Sequence, residues 1–175
     1  MKRQQFETEV NRVCIAGFVE QSYILDHRTN KCDFYRLMVN IKRKSGAIDT
    51  LPVLVNPLVA DIRADISGKF VNVEGEIRSY RYKEGEAYHI RIFILASKIT
   101  VHDIPEYRNE IYLYGTIMNH PMIRTTPRGK CIADISLIVT RSNSKTDLVP
   151  CIVWGNTIRK LSEKGEGDSI SIAGR

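Results

Sequence analysis

Near residue 80 the chain alternates aromatic and cationic side chains: Arg78, Tyr80, Arg81, Tyr82 and Lys83, with Tyr88 a few residues on. A flat ring offers a face on which an unpaired base can stack, and a neighbouring cation neutralises a phosphate without reading sequence. The same residues allow a plainer arrangement, in which Tyr80 and Tyr82 pack on their own domain and the cations solvate a turn. Trp154, the only Trp in the chain, is open to the same two readings, a core residue closing a strand or an exposed stacking platform. Further cations with the right spacing for phosphates are Arg36, Lys42 and Arg43 on one side, and Arg124, Arg128, Lys130 and Arg141 on the other. Arg159 and Lys160 fall on a helical stretch and read as ordinary surface charge.

Little else in the chain suggests chemistry. There is no Gly-x-x-x-x-Gly-Lys phosphate loop, no Gly-x-Ser-x-Gly elbow and no carboxylate trio, so an enzyme is not expected. His27, His89, His102 and His120 are scattered, and Cys14, Cys32, Cys131 and Cys151 lack Cys-x-x-Cys spacing; they predict no metal site, no cofactor and reduced thiols in a cytoplasmic setting. No stretch approaches the roughly 20 apolar residues a membrane helix needs, and the start Met1-Lys2-Arg3-Gln4 is polar where an export signal would be apolar. Over 175 residues, 26 Lys plus Arg against 20 Asp plus Glu give a net charge of +6, a modest bias towards polyanions.

What positions these residues is an internal duplication. Asn11-Arg12-Val13-Cys14-Ile15-Ala16-Gly17 recurs as Asn109-Glu110-Ile111-Tyr112-Leu113-Tyr114-Gly115, and Leu37-Met38-Val39-Asn40 as Leu137-Ile138-Val139-Thr140. Leu51-Pro52-Val53-Leu54-Val55 recurs as Val149-Pro150-Cys151-Ile152-Val153, and Val71-Asn72-Val73-Glu74-Gly75 as Ile170-Ser171-Ile172-Ala173-Gly174, all at offsets of 98 to 100. Each copy reads strand, strand, strand, short helix, strand. In the first copy Asn56-Pro57 starts the helix, Leu58, Ile62 and Ile66 form its stripe and Gly68 ends it. Phe70 to Tyr82 and Ala87 to Val101 form a long fourth and fifth strand hairpin.

This order describes an all-β protein of two tandem OB-fold barrels. Residues 1–102 form the first repeat, 103–108 a linker and 109–175 the second, incomplete repeat, whose last strand is missing. The chain is therefore expected to be a fragment, or to have its gap covered by another chain. In strand two, Tyr35, Leu37, Val39 and Ile41 face the core against outward Arg36, Met38, Asn40 and Lys42; Ala133, Ile135, Leu137 and Val139 repeat the inward set.

At these residues the chain resembles the bacterial single-stranded DNA-binding protein family, in its tandem form with two OB repeats in one chain. In the second repeat Arg124-Thr125-Thr126-Pro127-Arg128-Gly129 looks like the family's Arg-x-Thr-Pro-x-Gly turn, preceded by Pro121. Pro150-Cys151-Ile152-Val153-Trp154-Gly155 looks like its third strand. In the first repeat the likeness runs from Val71 to Tyr88, with Tyr82 where the family carries a base-stacking aromatic. The resemblance selects the stacking reading for Tyr82 and Trp154. It implies sequence-independent binding of single-stranded DNA in replication, recombination and repair, and a homodimer presenting four OB domains.

The departures set limits. Ile24-Leu25-Asp26-His27-Arg28-Thr29-Asn30 replaces the Thr-Pro-x-Gly turn in the first repeat, and Asn56 stands where the second has Trp154, so the repeats are expected to bind unequally. The acidic tip by which the family recruits replication and repair proteins is absent from these residues. A rival function is a primosomal or protein-interaction OB module that holds nucleic acid weakly.

Overall fold

The computed structural model describes residues 11–175. Their order is β1 (Asn11–Arg28), β2 (Asp33–Lys42), β3 (Ile48–Val55), β4 (Phe70–Glu84), β5 (Ala87–His102), β6 (Arg108–Ile117), β7 (Met122–Thr125), β8 (Cys131–Thr140), β9 (Thr146–Trp154), α1 (Thr157–Leu161) and β10 (Ser169–Gly174). The described residues fall into two compact units. One comprises Asn11–Arg78, Arg91–Tyr112 and Ala173–Arg175; the other comprises Ser79–Ile90 and Leu113–Ile172. These units do not follow the repeat boundaries, because the tip of the β4–β5 hairpin, Ser79–Ile90, groups with the bulk of the second repeat.

The first unit contains a closed five-stranded barrel. β1 pairs with both β2 and β4, β2 with β3, and β3 with β5 in parallel at Val53↔Ile94 and Leu54↔Leu95. One strand can serve two neighbours because β1 is long and irregular. Val13–Phe18 pair with β4, Phe18–Arg28 with β2, and register shifts after Val19, Gln21 and Leu25 bend the strand around the barrel. Gly17 and Gly75 are the points of closest approach, where a Cβ would run into the carbonyls of Asn40 and Leu95. The interior is Val13, Ile15, Val19, Leu37, Val39, Ile41, Val53, Val55, Val71, Val73, Ile94 and Ala96 from the inward faces of the strands, with Ile66 added from the β3–β4 connection.

The expected first-repeat helix is absent. Residues 57–67 fold as successive turns, and Leu58, assigned to the buried stripe, is 93% exposed, whereas Ile66 is buried. The reason is local competition for backbone donors. Asn56 Oδ1 accepts the N–H of Leu58 at 2.8 Å, Asp61 Oδ1 that of Arg63 at 3.1 Å and Asp65 Oδ1 that of Ser67 at 2.9 Å, which breaks the segment into Asx turns. Ser67 lowers Asp65 from its ordinary value, first through this backbone hydrogen bond. The linker is also shorter than expected: Arg108 already belongs to β6, and Tyr107 packs edge-to-face on Phe18 and Phe70, with ring centroids 6.3 and 5.3 Å apart.

The other unit repeats the plan with one break. β8 pairs with β9 from Ile132↔Trp154 to Thr140↔Thr146, and its opposite edge takes β6 and then β7. β6 and β7 together correspond to β1, interrupted before Met122 by Pro121, which has no N–H to give a ladder. Here the helix does form, short, with Ile158 and Leu161 buried. Equivalent hydrogen bonds recur in both copies: Gly68 N–H to Val19 O at 2.8 Å and Val19 N–H to Lys69 O at 2.9 Å are matched by Gly167 to Ile117 and Ile117 to Asp168, both 2.9 Å. Ala133, Ile135, Leu137 and Val139 are buried as a set. Among the described residues no strand follows β10 in the second repeat.

Candidate nucleic-acid interface

The β4–β5 hairpin presents its aromatic and basic residues on two faces, as strand alternation requires. On one, Tyr80 and Tyr82 lie 5.9 Å apart between centroids and Tyr82 stacks on His89 at 5.4 Å. On the other, the Arg81 guanidinium sits 4.0 Å from the centre of the Tyr88 ring, with the Lys83 ammonium at 5.9 Å from the same ring. Gly85, at φ +60°, turns the chain at the tip. Tyr80 and Tyr88 are exposed and Tyr82 is half-buried. A cation drawn to the negative face of a ring places charge beside any base that stacks nearby.

On the outer face of β7, β8 and β9, side chains opposite one another in the ladder share a face. The register makes two rows, Met122–Asp134–Ile152 and Arg124–Ile132–Trp154, the second with Ile132 buried between its exposed ends. Met122, Ile152 and Trp154 are 66%, 53% and 52% exposed, an apolar platform in the open. Trp154 is therefore not a core residue. Arg124 stands two strand spacings from it, about 10 Å, and forks onto Asp134, with Nη2 donating to Oδ1 at 3.2 Å. That side-chain hydrogen bond raises Arg124 and lowers Asp134 from their ordinary values. Arg128 and Lys130 lie exposed in the β7–β8 turn, and neither forms an ion pair among the described residues.

The remaining cations are more committed than their spacing suggested. Arg36 pairs with Asp26 at 3.4 Å, Arg43 forks onto Asp49, Arg78 is held by Glu76 with its side chain only 15% exposed, and Arg141 forks onto a buried Asp147. Lys42 is exposed, its ammonium 5.9 Å from the centre of the Tyr107 ring. In the first repeat the position of Trp154 is taken by Asn56, and Leu54, equivalent to the exposed Ile152, is buried. A different aromatic pair appears there: His27 stacks on Phe34 at 5.0 Å, its Nδ1 2.8 Å from Asp26 Oδ2. Sequence alternation missed this pair, because the register shift between Leu25 and His27 brings His27 opposite Phe34.

Residues 108–175 match the profile of the Single-strand binding protein family. That part of the chain, 68 of its 175 residues, is similar to the family. It is a family of binding proteins rather than enzymes. The fold of the whole chain is similar to two solved structures of the single-stranded DNA binding protein from Thermus aquaticus. A deletion mutant matches with a TM-score of 0.77 and 20% identity over 97% of this chain and 87% of that one. The wild-type protein matches with a TM-score of 0.75 and 20% identity over 95% and 84%. At this identity the likeness is one of fold, the tandem OB architecture. No curated protein sequence matches the chain.

Proposed function

We propose that this protein binds single-stranded DNA without regard to sequence and shields it during replication, recombination and repair. The observation that carries the reading is the exposed ring of Trp154, together with a hairpin whose Tyr80, Tyr82 and Tyr88 are interleaved with Arg81 and Lys83. Stacked bases contribute about 1 to 3 kcal/mol each, and phosphate contacts add a salt-dependent attraction. Trp154, Tyr80, Tyr82 and Tyr88 supply the stacking, and Arg81, Arg128 and Lys130 are the cations best placed to meet phosphates without first leaving a carboxylate. Arg36, Arg43, Arg78, Arg124 and Arg141 would have to exchange one for the other.

That exchange favours a second reading, an OB module with weak nucleic-acid binding whose main partner is a protein. Titration of an oligo-dT strand of about 35 nucleotides at low and high salt separates the two. Tight binding that weakens steeply with salt and is the same for a mixed sequence supports the main reading, and binding no tighter than that of a duplex of equal length overturns it. Light scattering tests the accompanying proposal that two chains associate to present four OB domains.

A further inference from the structure

Asp147 is the one charged side chain buried among the described residues, at 0% exposure. Arg141 forks onto it, Nε donating at 2.6 Å to Oδ2 and Nη2 at 2.5 Å to Oδ1. The third donor is Ser79 of β4, whose backbone N–H reaches Asp147 Oδ1 at 2.6 Å. Ser79 is held twice more: its Oγ accepts the N–H of Leu148 at 2.8 Å, and its carbonyl accepts from Arg141 Nη2 at 3.4 Å. All four residues lie in the unit of Ser79–Ile90 and Leu113–Ile172.

The first repeat contains the same turn without the visitor. Arg43 N–H to Ala47 O at 2.7 Å and Gly46 N–H to Arg43 O at 2.9 Å match Arg141 to Lys145 at 2.7 Å and Ser144 to Arg141 at 3.0 Å. Arg43 forks onto Asp49 as Arg141 does onto Asp147. Yet Asp49 is half-exposed, and among the described residues it accepts hydrogen bonds from Arg43 alone. The fork is thus a property of the turn in both repeats, and its burial in the second coincides with the arrival of Ser79. A buried ion pair is a poor way to add stability and a good way to fix one arrangement, since any other leaves a charge unpaired in low dielectric. What is fixed here is the residue immediately before Tyr80, Arg81 and Tyr82.

We infer that Asp147, supported by Arg141, is a positioning residue for the aromatic hairpin: it clamps the root of the arm at Ser79 so that Tyr80 and Tyr82 are held ready for bases. The inference rests on the proposed stacking role of the arm.

The test is a double-mutant cycle on oligo-dT affinity in the full chain, with thermal melting and Trp154 fluorescence recorded in parallel. Asp147→Asn is expected to weaken binding about three- to tenfold, and to add nothing when Tyr80→Leu and Tyr82→Leu are already present, while Trp154 quenching at saturation stays at its wild-type amplitude. Ser79→Ala, which keeps the fork and removes only the acceptor for Leu148, shifts affinity the same way by less, and serves should Asp147→Asn fail to fold. The matched change Asp49→Asn is expected to be independent of the two tyrosines. Wild-type affinity in Asp147→Asn, or in Ser79→Ala where Asp147→Asn does not fold, overturns the positioning role, as does an equal loss with and without the tyrosines. If the double Tyr variant itself binds as wild type, the stacking role of the arm fails and the clamp with it, a result distinct from a weakened Tyr variant beside an unaffected Asp147→Asn.

Discussion

Arg124 grips Asp134 at the register where the first repeat carries the same pair with its signs exchanged, Asp26 on β1 and Arg36 on β2. Ile24↔Arg36 and Leu25↔Tyr35 in one repeat correspond to Met122↔Asp134 and Ile123↔Ala133 in the other. Both repeats thus place one cation and one carboxylate on the outward face.

A phosphate reaching Arg124 must compete with Asp134. Two unit charges 4 Å apart in water interact by about 1 kcal/mol, so Asp134→Asn is expected to tighten oligo-dT binding a few-fold at low salt and much less at high salt. The exchanged pair Arg124→Asp with Asp134→Arg is expected to melt with the wild type, because the first repeat already uses that arrangement. Anisotropy titrations and thermal melts check both.

Trp154, half-exposed at the end of β9, is expected to lose fluorescence on binding oligo-dT. Replacing it with Leu should weaken binding by the value of one stacked base, about 1 to 3 kcal/mol. Unchanged emission on a saturated complex removes Trp154 from the interface.

Gly75 and Gly174 occupy the same place in their repeats and should differ sharply. A Cβ at Gly75 meets the Leu95 carbonyl where β5 crosses, and Gly75→Ala is expected to destabilise by about 1 to 3 kcal/mol or more, as overpacking does. At Gly174 the nearest atom is Ile111 Cγ2 at 3.5 Å, an ordinary contact, so Gly174→Ala should be close to neutral. Urea unfolding measures the difference.

The thiols should be ranked by exposure. Burial pushes Cys151 up to about 11, so its reactive thiolate is scarce at pH 8 and grows only as pH approaches that value. Cys131 is exposed. Iodoacetamide at pH 8 is expected to label Cys131 well before Cys151, with the Cys151 rate rising steeply above pH 10, as peptide mass mapping would show.

Much of this was legible in the residues. The duplication, the inward set Leu37, Val39, Ile41 with its echo Ile135, Leu137, Val139, and the long hairpin from Phe70 all follow from side-chain periodicity, which depends only on near neighbours in the chain. The same local physics favoured a helix after Asn56 and erred there, because Pro57 and an apolar stripe also suit a run of Asx turns once Asp61 and Asp65 take the backbone donors.

What the sequence by itself determined was where strands run, which face of each is apolar, and which rings and cations stand near one another along the chain. Only the tertiary structure decided which cations are already taken. Arg43, Arg124 and Arg141 find carboxylates across a strand pair or turn, and Asp147 is buried by Ser79, 68 positions away. Such partners depend on register, bulges and chain crossings, and those are settled when the sheet closes, not by the spacing of residues along it.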